Sequence, residues 1–294
     1  MVAPSHFRVN CVDLTVRTVG RVWVTTLRRL ANGHTTVREA TGPLLVAGST
    51  AFPGFSFRSV SRTPSTQDLV RAAARAGAAA GHLCVAGEQT SGRGRQGRRW
   101  VAPPGTALLA SILLRPRAAA EGVPIAAGLA VADAIAALGV EVGLKWPNDV
   151  MVGGAKLAGI LAEVEPAAPG DGTAVVLGVG VNLRVEEFPE GATGTSLHLL
   201  LAPDPPPTAE ELLTLLLPAL AARVRALESG GIAALLDGWR ARAVGLGGPV
   251  VAETPAGRVE GRAVDVDVDG ALLLQTGSGT IRLLAGDVHL VSER

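Results

Sequence analysis

Gly92-Arg93-Gly94-Arg95-Gln96-Gly97-Arg98-Arg99-Trp100 is the stretch on which the reading of this chain turns. It satisfies Gly-x-Gly-x-x-Gly, the fingerprint of a dinucleotide site on a doubly wound parallel sheet, but that motif must open a helix. Val101-Ala102-Pro103-Pro104-Gly105 follows, and two prolines in succession cannot begin one there. An Arg–Gly tract that grips RNA without sequence preference is longer and repetitive, whereas this segment is single and bounded by strand-like residues. What remains is a mobile anion-binding loop. Its glycines let backbone N–H groups approach phosphate or carboxylate oxygens, its arginines add bidentate charge-assisted bonds, and Trp100 offers a flat face for a base.

Outward from the loop, the pattern predicts a mixed α/β unit. Ser65–Ala80 opens with a capping Ser-Thr, carries Asp68 in its first turn and continues as an Ala-rich helix. His82–Ala86 reads as the strand entering the loop and Thr106–Arg115 as a buried strand leaving it. Pro124–Leu138 is a buried helix with proline at its start, and Val140–Trp146 and Thr173–Leu183 are strands. Pro203–Pro207 breaks the chain before an amphipathic helix over Thr208–Leu227, with Glu210 and Glu211 in its first turn. Beyond Gly245–Gly248 the texture changes to short alternating strands at Pro249–Thr254, Val259–Val268, Ala271–Thr276 and Thr280–Leu284, which reads as a small β-barrel. Before residue 55 a strand over Val22–Leu27 and a helical fragment over Thr26–Thr41 are the only readable elements.

Composition narrows the function classes. The 294 residues carry 27 basic against 26 acidic side chains, so no whole-chain field argues for nucleic acid or an anionic membrane. Cys11 and Cys84 have neither disulfide-framework nor metal-ligand spacing, which fits a reducing cytoplasm. Met1–Leu14 has no apolar leader core, and Pro124–Val140, the most apolar long window, carries Asp133 and falls short of a membrane span. The five histidines show no metal spacing, and Gly-x-Ser-x-Gly and Walker-type motifs are absent. Of the basic residues 25 are Arg, and only Lys145 and Lys156 are Lys. A chain that uses Arg wherever a cation serves keeps Lys where a compact ammonium is needed.

Those lysines frame a second motif. Lys145-Trp146-Pro147-Asn148-Asp149 leads into a hairpin whose turn is Gly153-Gly154, so Val152 faces Ala155 and Met151 faces Lys156. Counting by twos places Asp149 on the same face, diagonal to Lys156 and within about 7–8 Å. An isolated pair of this kind is usually a surface salt bridge. Beside an anion loop, a cation and a carboxylate able to hold Mg²⁺ suit transfer at a phosphate. In Val179-Gly180-Val181-Asn182, glycines at 178 and 180 on one face would let a flat ring approach the backbone, with Asn182 to read its edge. Asp265-Val266-Asp267-Val268-Asp269-Gly270 imitates an EF-hand start, but position twelve is Thr276, so calcium is rejected. Val264, Val266 and Val268 are expected to alternate inward there, with a hairpin turn at Asp269-Gly270.

Taken together, Gly92–Trp100, Lys145–Asp149, Lys156-Leu157-Ala158-Gly159-Ile160-Leu161, Gly178–Leu183 and the tail ending Gly286-Asp287-Val288-His289-Leu290 resemble the biotin–protein ligases, also called biotin–[acetyl-CoA-carboxylase] ligases. The resemblance covers about residues 58–294. It implies a class II synthetase-like α/β (α+β) catalytic domain with a mixed sheet over residues 58–244 and an SH3-like barrel over 245–294. Residues 1–57 form an extension that matches no part of the catalytic core. Some members carry a winged helix there, but no three-helix pattern with a recognition helix is found, so DNA binding is not expected.

By the same resemblance Ser65, Thr66, Gln67, Gln89, Arg93 and Gly94 would touch biotin, with Gln67 standing where the family has Asn. Arg95 and Lys156 would carry the chemistry, touching both biotin and ATP or its phosphates. Arg98, Trp100, Asn148 and Asn182 would serve ATP, and Asp149 would hold Mg²⁺. The implied reaction activates biotin with ATP as biotinyl-5′-AMP and passes it to a lysine of a biotin carboxyl carrier protein, with a homodimer compatible and no membrane involved. The nearest alternatives are a lipoate or octanoate ligase on the same fold and a biotin-sensing repressor; the arginine-rich loop and the barrel tail favour biotin.

Overall fold

The computed structural model describes residues 54–117, 119–166, 173–254, 257–284 and 286–291, and within the first 53 residues the backbone of four strands. Three of these, β1 (Ser5–Val9), β2 (Val12–Val19) and β3 (Val22–Arg29), form an antiparallel sheet in that order. The helical fragment expected from Thr26 is therefore strand up to Arg29, where Val22, Val24, Thr25 and Thr26 favour extended backbone; its remainder, like Cys11, lies outside the described residues.

The main sheet contains β4 (Leu45–Val46), β5 (Ser56–Thr63), β6 (His82–Gln89), β7 (Ala107–Leu114), β8 (Gly143–Lys145), β9 (Asp149–Val152), β10 (Ala155–Glu165) and β11 (Ala174–Asn182). Their order is β4-β5-β6-β7-β11-β10-β9-β8. β5 and β6 run parallel and the remaining neighbours antiparallel, giving the mixed sheet expected. A parallel pair needs a crossover, which α1 (Thr66–Arg75) supplies. α1 starts as the capping residues predict, with Ser65 Oγ accepting from Gln67 N–H, but stops before Ala80 because Gly77 takes φ +83°, a left-handed exit suited to glycine.

Alternation along the strands divides two layers. Cys84, Leu113 and Val176 face Val70 of α1, while Leu83, Ile112 and Leu177 face the opposite side. That side is covered by α2 (Val123–Ala136) and α4 (Ala209–Gly230), with α3 (Leu197–Leu201) and α5 (Ala233–Arg240) completing the helical layer. α2 is apolar nearly all round because it lies between the sheet and α4. β8 is shorter than the stretch 140–146 suggests.

The tail folds as β12 (Pro249–Thr254), β13 (Gly257–Val266), β14 (Leu272–Thr276), β15 (Gly279–Leu283) and β16 (Asp287–Leu290), an antiparallel sheet in the order β15-β14-β13-β12-β16. Its expected inward alternation at 264, 266 and 268 holds only at Val266. A register shift between Ala263 and Asp265 turns Ala263 and Val266 inward and leaves Val264 43% exposed, while Val268, in the turn beyond the strand's end, is 65% exposed. One extra residue in a strand reverses which side chains face the core. The freed Asp265 pairs with Arg240 of α5 at 2.7 Å.

Candidate active site

The site is assembled from α1, the loop between β6 and β7, and the β9–β10 hairpin. At the start of α1, Thr66 and Gln67 are buried although both are polar. Burial of such groups requires partners. Thr66 N–H and Oγ1–H both point to Gln89 Oε1, at 2.7 and 3.0 Å, and Thr66 Oγ1 also lies 2.7 Å from Ser111 Oγ. With its oxygen so engaged, Gln89 has no acceptor for its NH₂ group among the described residues, which leaves that group as a donor. Gln67 Nε2 donates to the Leu161 carbonyl at 3.1 Å, and its carboxamide lies 3.2 Å from where a Cβ on Gly178 would stand.

The glycine–arginine loop is a closed turn rather than an open ribbon. Gly94 N–H donates to Arg98 O at 2.8 Å and Trp100 N–H to Gly92 O at 3.0 Å, while Gln96 and Gly97 adopt φ of 53° and 75°. Its cations are held differently. Arg93 pairs with Asp68 in the first turn of α1, Arg98 pairs with Asp287 of β16, and Arg99 donates to the Thr90 carbonyl at 2.7 Å. Arg95 is the exception: its Nη1 is buried without a hydrogen-bond partner among the described residues. Burial depresses its basicity, which the nearby Asp287 and Asp149 oppose.

The hairpin register is as the Gly-Gly turn requires, Val152 opposite Ala155 and Met151 opposite Lys156. A bulge after Lys156 then sets Gly159 opposite Asp149, and the long side chain closes the remaining gap, so Lys156 Nζ lies 2.5 Å from Asp149 Oδ1. Asn148 Nδ2 donates to the Ile160 carbonyl at 2.8 Å.

All these parts border one cavity of about 130 Å³. Of the residues proposed from sequence, Ser65, Thr66, Gln67, Gln89, Arg93, Gly94, Arg95, Arg98, Trp100, Asn148, Asp149 and Lys156 line it. Asn182 does not: its Nδ2 donates to the Thr195 carbonyl at 3.0 Å and lies 3.4 Å from that of Lys156, fixing backbone beneath the site. The flat ring expected over the glycine floor is also already present, as the Trp100 indole. A Cβ on Gly180 would lie 2.7 Å from that ring and one on Gly159 2.9 Å from it. Gly178 instead receives Gln67.

Sequence reasoning missed Ser111, Arg99 and Asp287. Ser111 was detectable as the one polar side chain inside Ala107–Leu114. Asp287 reaches the cavity from the C-terminal sheet, a juxtaposition that no local pattern encodes. Five cations, Arg93, Arg95, Arg98, Arg99 and Lys156, thus face two carboxylates, Asp149 and Asp287, around the cavity. The excess favours a polyanion. One or two carboxylates completed by substrate phosphates is also how Mg²⁺ is usually held, so the donor set fits that ion arriving with a phosphate ligand.

Comparison with known proteins agrees with this architecture. Residues 59–182 match the biotin/lipoate A/B protein ligase family and residues 245–291 the biotin protein ligase C-terminal domain. A biotin–[acetyl-CoA-carboxylase] ligase of Mycobacterium tuberculosis is 40% identical over 79% of this chain and 88% of its own. One from Paracoccus denitrificans is 38% identical over 69% and 88%. The biotin protein ligase of Aquifex aeolicus, solved with biotin and ATP, superposes with a TM-score of 0.68 at 26% identity, covering 81% of this chain and 99% of that one. With the catalytic and C-terminal parts matching in the order in which the fold joins them, the chain belongs to the biotin protein ligase family.

Proposed function

We propose that the protein is an ATP-dependent ligase that activates biotin as biotinyl-5′-AMP and transfers it to a lysine of the biotin carboxyl carrier of a biotin-dependent carboxylase. The observation that carries this reading is that five cations border one cavity with a glycine floor beside the polar start of α1. We assign activation to residues 58–244 and give the unit 245–294 the task of supporting the loop through Asp287.

In this reading Ser65, Thr66, Gln67, Gln89, Arg93 and Gly94 hold biotin, their oriented amides and hydroxyls suiting a small polar ring. Arg98, Trp100 and Asn148 serve ATP, with the outer face of the Trp100 indole as the platform for adenine. Asn182 acts indirectly, through the backbone of Lys156. Mg²⁺ bound with the triphosphate would be held by Asp149 and would neutralise charge on the departing pyrophosphate.

Two anions must meet, so the chemistry needs positive charge more than an acid or a base. Lys156 and Arg95 supply it where a biotin carboxylate oxygen attacks the α-phosphorus and the bond to pyrophosphate breaks. The buried, unpartnered Arg95 Nη1 suits that task because no protein anion must first be displaced from it. In the second step a neutral carrier-lysine amine attacks the carbonyl carbon of the mixed anhydride, AMP leaves, and the new amide nitrogen loses its proton. Excluding water from the anhydride is the work of the closed loop. Nothing in this chemistry requires DNA, a membrane or a second copy of the chain, and the buried free thiol of Cys84 accords with the cytoplasm. No described helix is long and apolar enough to cross a membrane.

Exchange of labelled pyrophosphate into ATP with Mg²⁺ tests the reading. Exchange dependent on biotin is expected; exchange with lipoate or octanoate alone would reassign the substrate.

A further inference from the structure

The chain keeps two lysines among its 27 basic residues, and both ammonium groups face the same carboxylate. Lys156 approaches Asp149 Oδ1 at 2.5 Å from across the β9–β10 hairpin, and Lys145 lies 4.0 Å from Oδ2. The β8–β9 register sets Lys145 directly opposite Asp149. Lys145 does not border the ligand cavity; it is 19% exposed and borders a separate, smaller cavity with Trp146, Trp239 and Val288. The Asp149 side chain is exposed to the same 19%.

In this arrangement Lys156 is committed to Asp149. To meet a ligand's carboxylate or phosphate oxygens it must exchange partners, and until Mg²⁺ reaches Asp149 the exchange would leave a half-buried carboxylate facing incoming anions. An uncompensated buried charge is costly, so a second cation on the far oxygen decides whether the exchange is feasible. Arginine would fill that place poorly, because its planar fork takes both carboxylate oxygens and would dislodge Lys156. This accounts for lysine at 145 in a chain that otherwise uses arginine.

We propose that Lys145 is a positioning residue for biotin activation: it neutralises Asp149 on one oxygen so that Lys156 can leave the other for the ligand. The proposal rests on the reading above that Lys156 meets the ligand's anionic oxygens. The test uses the full chain, biotin-dependent pyrophosphate exchange and a double-mutant cycle. Lys145→Met is expected to lower kcat about tenfold or more with the KM for biotin nearly unchanged, and to change kcat by less than about twofold in an Asp149→Asn background. Penalties that multiply would overturn the proposal, since Lys145 would then act independently of Asp149. Lys145→Gln, which keeps part of the stem, serves the same cycle where Lys145→Met does not fold.

Labelling with ¹⁵N-lysine adds a readout that a purely structural role would not move. Two side-chain signals are expected, and biotin with a non-hydrolysable ATP analogue should shift that of Lys156 in the unmodified protein but not in Lys145→Met; an equal shift in both would also overturn it. Lys156→Met retaining full exchange would sink the site reading itself, a failure distinct from that of the cycle.

Discussion

A methyl group on Gly180 would stand 2.7 Å from the Trp100 ring, well inside carbon–carbon contact. The glycine is therefore fixed by a neighbour eighty residues away, and Gly180→Ala must lift the indole from the floor. We expect that substitution to raise the KM for ATP by about tenfold, the range of a lost aromatic stacking contact, while leaving the KM for biotin largely intact; steady-state pyrophosphate exchange against each substrate checks it. At this scale much of the site was legible. Arg93, Arg95 and Arg98 stood out because glycines separate them, and Lys156 because lysine is so rare here. The partners of each cation were not. Arg93 pairs with Asp68 and Arg98 with Asp287, and neither choice follows from spacing.

Elements were legible wherever a local signal sets their ends. Thr208 and Glu211 form a reciprocal capping box at the start of α4, Glu211 N–H donating to Thr208 Oγ1 at 3.2 Å and Thr208 N–H to Glu211 Oε2 at 2.7 Å. Thr208→Ala should cost about 1 kcal/mol of stability, since it leaves helix N–H groups to water alone. Urea unfolding monitored by far-ultraviolet circular dichroism measures it, and an unchanged midpoint would mean that packing of Leu212, Leu213 and Leu216 fixes the helix start without the cap. Periodicity misled where a single residue resets it. The bulge in β13 exposes Val264, which an unbroken two-residue alternation would bury, and the strand's end at Val266 leaves Val268 in the exposed turn.

Across the molecule one apolar cluster runs from Leu83 and Leu177 in the main sheet through Leu129 and Leu216 to Val250, Ala263 and Leu274 in the C-terminal sheet. The two sheets therefore share a core, and Trp146 reinforces the junction with an Nε1–H bond to the Gly270 carbonyl at 3.0 Å. On the other side of the main sheet, Glu165 of β10 is 6% exposed and ties to α1 through Arg71 and through Arg75 at 3.1 Å. Burial alone would raise its pKa, but hydrogen bonds and charge from the two arginines outweigh that and hold it below its ordinary 4.5. A depressed carboxylate stabilises the fold above its unfolded pKa, and the contribution fades as pH falls through the folded value. Glu165→Gln should therefore lose about 1–2 kcal/mol near neutral pH, with the difference from the unmodified chain vanishing in acid. Unfolding curves between about pH 7 and pH 3 check the sign.

The sequence by itself determined most of the elements and the chemical inventory, because capping residues, glycine turns and a loop of alternating glycine and arginine act over a few residues. It also determined the hairpin register at Gly153-Gly154 and the change to short strands that begins at Pro249. Tertiary structure alone decided which groups meet. It laid Trp100 on the glycine floor, turned Asn182 from the cavity to the backbone of Lys156, brought Asp287 from the last strand to Arg98, and through a bulge closed the Lys156–Asp149 pair that the hairpin pattern had placed on one face. These contacts join residues dozens to nearly two hundred positions apart, or depend on a single bulge, and only the two sheets packed on their shared core fix such distances.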